Sequence, residues 1–133
     1  MIKLKTDASF KDENHSVGLG VQIVYEKESY EYALRVKKKK LVTSVKAEIQ
    51  ACIYGFQCVK ADFGTQHPII YMSDSMAVID LMQKISDGHV FEDKQLTYLA
   101  DLLNEFDVIY FKWISRKENK CCDRLSKAIR KKG

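Results

Sequence analysis

The sequence predicts an α/β fold: a mixed five-stranded sheet with helices packed on both faces. Three observations predict it. Apolar and polar residues alternate through the first third of the chain. The apolar spacing changes to three and four residues from Val45 onward. Two later apolar runs, separated by helical pattern, are too short to be helices.

The elements follow in order. "IKLKTDAS" sets Ile2, Leu4 and Thr6 against Lys3 and Lys5, with Asp7 next in the Lys3–Lys5 register. "VGLGVQIVYEK" alternates Val17, Leu19, Val21, Ile23 and Tyr25, and "SYEYALRVK" alternates Tyr30, Tyr32, Leu34 and Val36. The joints "KDENHS" and "EKES" are short and polar, so these are three antiparallel strands linked as hairpins. From Val45 to Ala61, Ile49, Cys52, Ile53, Phe56 and Val59 form the stripe of an amphipathic helix, with Thr43 or Ser44 as its N-cap. "DFGTQHP" ends it. "IIYMS" is apolar on both sides, as a strand covered by helices should be. "DSMAVIDLMQKI" is helical up to the break at Asp87-Gly88, and "FEDKQLTYLADLLNEF" is a second helix striped by Leu96, Leu99, Leu102 and Leu103. "DVIYFKWI" is the fifth strand, with Trp113 expected in the core, and "NKCCDRLSKAIRKK" is a terminal helix. Right-handed crossovers then place the later strands beside the first, as parallel additions to the antiparallel trio.

Composition narrows the function classes. A chain of 133 residues suits one domain, 1–133, large enough to bury a core. With 46% hydrophobic and 30% charged residues, a soluble globular protein is expected, and one Pro and six Gly leave no room for long linkers. No apolar stretch approaches the ~18 residues of a membrane span, and "MIKLKTDASF" lacks the features of a signal peptide. A cytoplasmic monomer with no membrane partner is the expectation. Cys52, Cys58, Cys121 and Cys122 match neither CxxC pairs nor Cys/His zinc spacing, so buried, reduced thiols are expected. The net charge is +4, and its lysines and arginines cluster as "KKKK" at 37–40 and from Arg116 to the end. Such clusters suit a phosphate backbone and equally a solvated face; charge alone leaves both open.

Four acids stand out by position. Asp7 lies in the predicted central strand, and Asp74 sits where the fourth strand leaves the core. Glu48 occupies the first turn of the first long helix, beside Ile49, and Asp123 lies early in the last helix between Cys122 and Leu125. Carboxylates gathered at one end of a sheet repel one another and need a countercharge. A hard divalent cation supplies one, and two such ions can clamp the oxygens of a phosphodiester undergoing hydrolysis. Arg116, Lys117, Lys120 or Arg124 is the alternative countercharge.

The order of elements and four short motifs resemble ribonuclease H of the HI type, within the ribonuclease H-like superfamily. "TDAS" resembles the first-strand motif of that family, with Asp7 as its first acid. "TSVKAE" resembles the start of its first helix, with Glu48; "SDS" its third motif, with Asp74; "ENKCCDRL" its last, with Asp123. The resemblance covers nearly the whole chain. It implies a ribonuclease H-like fold and a metal-dependent endonuclease that hydrolyses the RNA strand of RNA/DNA hybrids with two Mg²⁺ ions, or Mn²⁺ in their place. Asp7 would bridge both ions, helped by Glu48 and Asp74, with Asp123 completing one of them. Substrate contacts are implied at Ser9, Asn14, Thr43, Ser44, Lys46, Ser75, Arg116 and Asn119, with Thr43, Lys46 and Asn14 standing at a DNA-phosphate pocket.

The chain departs from that pattern in three places. Relatives often carry a His in the loop before the last helix; here the loop is "SRKEN". Ser44 and Val45 stand where relatives present an Asn pair, and Val45 has no side-chain hydrogen bond to offer. "SDGHVFED" carries no inserted basic arm, and "KKKK" is the available substitute grip. These departures keep a second reading alongside the first: a nucleic-acid-binding protein of this fold with weak or no hybrid cleavage.

Overall fold

The structure, a computed structural model, describes residues 1–11, 16–38 and 43–132, apart from the Lys11 side chain. Asn14, His15, and Lys39 and Lys40 of the basic run lie outside the described residues. Strands β1 (Ile2–Lys11), β2 (Ser16–Tyr25) and β3 (Glu28–Lys37) come first, then helix α1 (Ser44–Phe63) and strand β4 (Ile69–Ser73). Helices α2 (Met76–Ser86) and α3 (Lys94–Leu103) lead to strand β5 (Ile109–Trp113), and a 3-10 turn (Arg116–Asn119) runs into helix α4 (Lys120–Lys131).

The sheet order is β3-β2-β1-β4-β5, so β1 is central as expected. It pairs antiparallel with β2 and parallel with β4, which pairs parallel with β5. The β2–β3 joint is tighter than the four residues expected: Tyr25 pairs with Glu28, and Glu26 and Lys27 take φ of 51° and 68°. Two successive left-handed residues make a two-residue hairpin turn of the kind that matches the strand twist.

The two faces are covered unequally. On one, Leu4, Val21 and Ile23 of the sheet pack with Phe56 and Val59 of α1, Val78 and Met82 of α2, and Leu99 and Leu102 of α3. On the other, α4 lies over β1 and β2. There a Cβ on Gly20 would stand 2.3 Å from the Cys122 carbonyl oxygen, and one on Gly18 1.9 Å from that of Ser126. Bare backbone at these two strand positions is what lets α4 settle directly onto the sheet.

One expectation fails here. Trp113 is 47% exposed rather than part of the core. It is the last residue of β5, an edge strand, where the helices no longer cover the sheet. All four cysteines are free, as expected, but Cys121 is only half-buried. No helix among the described residues is long and apolar enough to cross a membrane.

Candidate active site

The parallel register brings the first two acids together. Lys5 pairs with Met72, so two residues further along each strand Asp7 and Asp74 face one another beyond the end of β4. Asp7 is buried, at 6% exposure, and Asp74 is half-buried. Glu48 arrives from the first turns of α1, whose entry is fixed by Thr43: its hydroxyl accepts the Lys46 N–H at 3.2 Å. The Glu48 Oε1 then accepts the backbone N–H of Ala8 at 2.9 Å, while its Oε2 is buried with no partner among the described residues. The result is a set of three carboxylates, from Asp7, Glu48 and Asp74, with ligand oxygens all within 4.8 Å of one another.

Asp123 lies outside this set. Its Oδ2 accepts from Lys127 Nζ, one turn along α4, at 3.1 Å. It is still near enough for its charge to push up the proton affinity of both Asp7 and Asp74. Asp74 is raised chiefly by burial, against the Asn119 amide and the Arg116 charge, which favour its ionised form. Burial, followed by the Asp74 charge, lifts Asp7 to about 7. Burial and the Asp7 charge lift Glu48 to about 9, so the pair holds protons more tightly than separate carboxylates would.

The residues around the acids divide by environment. Asn119 is fully buried and donates from Nδ2 to the Thr6 carbonyl at 3.0 Å, tying the start of α4 to β1. It occupies the N-cap position of α4 without capping it. Ser75 caps α2 by accepting the Val78 N–H at 3.3 Å. Ser44 and Lys46 are exposed in the first turn of α1, Arg116 is exposed in the 3-10 turn, and Ser9 is half-buried on β1. Asn14 falls outside the described residues. The short "SRKEN" loop is ordered by its own capping box, Ser115 with Glu118, and by Lys5, whose Nζ donates to the Glu118 carbonyl at 2.9 Å.

Two residues escaped the sequence reading. The Trp113 indole N–H donates to the Asp74 carbonyl at 3.1 Å, so the edge strand braces the loop that carries the acid. Gly20 pairs with Asp7, and its lack of a side chain admits α4 beside that acid. Alternation shows that position 20 faces the Asp7 side; only the helix lying above it explains why glycine stands there.

With this geometry in hand, the comparisons are informative. Residues 5–129 match the model of the family described as reverse transcriptase-like. The chain belongs to that family, within the ribonuclease H-like superfamily. No curated protein matches this family member in sequence. Among solved structures it is similar to LC11-RNase H1 crystallised with an RNA/DNA hybrid, at 21% identity and a TM-score of 0.82, covering 99% of this chain and 98% of that one. It is also similar to RNase H1 from the archaeon Halobacterium salinarum, at 19% identity and a TM-score of 0.75, over 96% of both chains. The N-terminal RNase H domain of a Mycobacterium tuberculosis protein matches at 18% identity and a TM-score of 0.75, covering 97% of this chain and 98% of that one. At these identities the likeness is one of fold, and the site must be argued from the chain's own residues.

Proposed function

We propose that the protein is a divalent-metal-dependent endoribonuclease that hydrolyses the RNA strand of RNA/DNA hybrids. The observation that carries this reading is the convergence of Asp7, Glu48 and Asp74 within 4.8 Å. Two ionised carboxylates at that separation repel by about 3 kcal/mol at an effective dielectric of about 20. Nothing in the packing requires a third acid at such a place, and the unpartnered Glu48 Oε2 is an acceptor without a donor. All-oxygen donors in a half-buried cleft fit Mg²⁺ or Mn²⁺.

Asp7, Glu48 and Asp74 would hold two such ions, with Asp123 reaching one of them once released from Lys127. In such a site the ions supply Lewis acidity toward a phosphoryl oxygen and activation of water. The chain's own part is positioning. The Ala8 N–H orients Asp7 and Glu48, while Asn119 and Trp113 steady Asp74. Exposed Thr43, Ser44 and Lys46 at the start of α1 and exposed Arg116 in the 3-10 turn would meet the nucleic-acid backbone, with Ser9 and Ser75 nearer the acids. On this reading the protein acts as a monomer in the cytoplasm, in keeping with its free cysteines.

The engagement of Asp123 by Lys127 favours one competing reading, a binder of hybrids that cuts weakly or not at all. Incubation with end-labelled hybrid, double-stranded RNA, single strands and duplex DNA separates the two. Cleavage of the hybrid's RNA strand alone, dependent on Mg²⁺ or Mn²⁺ and lost by at least about a hundredfold in Asp7→Asn, is expected. Salt-sensitive binding of the hybrid with no cut in either metal at enzyme excess would leave only the binder.

A further inference from the structure

Arg130, in the last turns of α4, is 8% exposed, yet it makes no hydrogen bond or ion pair with any described residue, and its Nε is fully enclosed without an acceptor. A guanidinium nitrogen enclosed without an acceptor is unfavourable unless an anion meets it. Among the described residues, its register neighbours on the adjoining strands offer cations instead of acids. The root of its side chain stands on Gly18, where an added Cβ would lie 2.9 Å from the Arg130 Cβ. Gly18 is flanked in register by Ser9 of β1 and Arg35 of β3, and the next pair on the same face sets Ser16 beside Lys37. Neither Arg35 nor Lys37 is in any of the three ion pairs found among the described residues. The acid that does face this side of β3, Glu31, lies two alternate positions away from Arg35 and is already paired with Arg124.

We propose that Arg130, with Arg35 and Lys37 beside it, forms an oxyanion site that takes a backbone phosphate of the bound nucleic acid outside the scissile position. The placement suits the proposed function, on which this assignment to substrate rests. Ser9 is the alternate neighbour of Asp7 on the same face of β1, about 7 Å along the strand. A strand of nucleic acid whose cleaved phosphate sits at Asp7 and which passes the C-terminal end of α4, where Arg130 stands, reaches this cluster within the next nucleotides. The planar, permanently charged fork of arginine matches a phosphate through two donors at once.

The Arg130 Nε–Hε resonance is followed by NMR in magnesium-free buffer while a short RNA/DNA hybrid, and separately inorganic phosphate, is titrated into the full chain. Hybrid affinity, its salt dependence and the melting temperature are measured in parallel for the parent and Arg130→Gln. The resonance is expected to move with the hybrid. Arg130→Gln should bind it about tenfold more weakly, with a log–log salt slope smaller by about 1. Without ligand, the same variant should melt at a higher temperature, because an enclosed donor without an acceptor is gone. A resonance that responds to phosphate in a protein that neither binds nor cuts hybrid keeps the anion site and overturns the function proposed above. A resonance indifferent to both anions, one that answers inorganic phosphate but not a bound hybrid, or a variant that melts lower with an unchanged salt slope overturns the phosphate contact and assigns Arg130 to packing alone.

Discussion

Asp7 and Glu48 accept from one and the same donor, the backbone N–H of Ala8, at 3.0 and 2.9 Å. Two carboxylates that converge on a single N–H are half-satisfied at best. Each has oxygen lone pairs left over, and one Glu48 oxygen has no donor at all among the described residues. Where the carboxylates are buried to this degree, the shortage is met either by a proton or by a cation.

That choice makes stability depend on pH and metal together. Asp7 and Glu48 bind their protons more tightly in the folded chain, at about 7 and about 9, than their ordinary values of 3.8 and 4.5. Their contribution to stability is therefore fully present below those ordinary values and is lost as pH rises through 7 and then 9. In chelator, the melting temperature should fall between about pH 5 and 9, and this fall should be smaller in Asp7→Asn. Mg²⁺ should raise the melting temperature more at high pH than at low pH, since it competes with the protons for the same oxygens. Thermal melts across pH, with and without Mg²⁺, check both signs.

Trp113 offers a narrower test. Trp113→Phe keeps an aromatic ring at the end of β5 and removes the N–H that holds the Asp74 carbonyl. One lost hydrogen bond is worth about 1 kcal/mol. The half-saturating Mg²⁺ concentration for cleavage should rise by about fivefold with little change in melting temperature, because the residue is largely exposed. Metal-dependence curves for parent and variant measure it.

Gly20 carries the opposite expectation. Gly20→Ala drives a methyl to 2.3 Å from the Cys122 carbonyl oxygen, a backbone atom that cannot step aside without moving α4. A loss of about 2 kcal/mol is expected, together with most of the activity, since α4 carries Asp123 and follows directly on Asn119. Urea unfolding and cleavage assays on one preparation check that the two fall together.

Much of this architecture was legible in the residues. Alternation in β1 to β3 and the three- and four-residue stripe of α1 are strong periodic signals, because each element buries one face. Asp7 and Asp74 could be assigned to neighbouring strands for the same reason: topology and crossover handedness leave β4 little choice but to lie beside β1. Side-chain commitments were not legible. Whether Asp123 turns toward the other acids or toward Lys127 depends on a rotamer, and periodicity is silent about rotamers. Trp113 misled because its size argues for the core, whereas its exposure follows from how far the helices extend past the end of an edge strand. In sequence Arg130 is one more member of the basic cluster that runs from Arg116 to the end, and only its burial against Gly18 sets it apart from the lysines around it.

The account stands or falls on the three carboxylates holding metal. Crystals soaked in Mn²⁺ and measured at the manganese absorption edge address this directly. Anomalous peaks between the carboxyl oxygens of Asp7, Glu48 and Asp74, absent in Asp7→Asn crystals, are the predicted result. Saturating Mn²⁺ that leaves the space among these oxygens without a peak, or a peak undiminished in the variant, would contradict it.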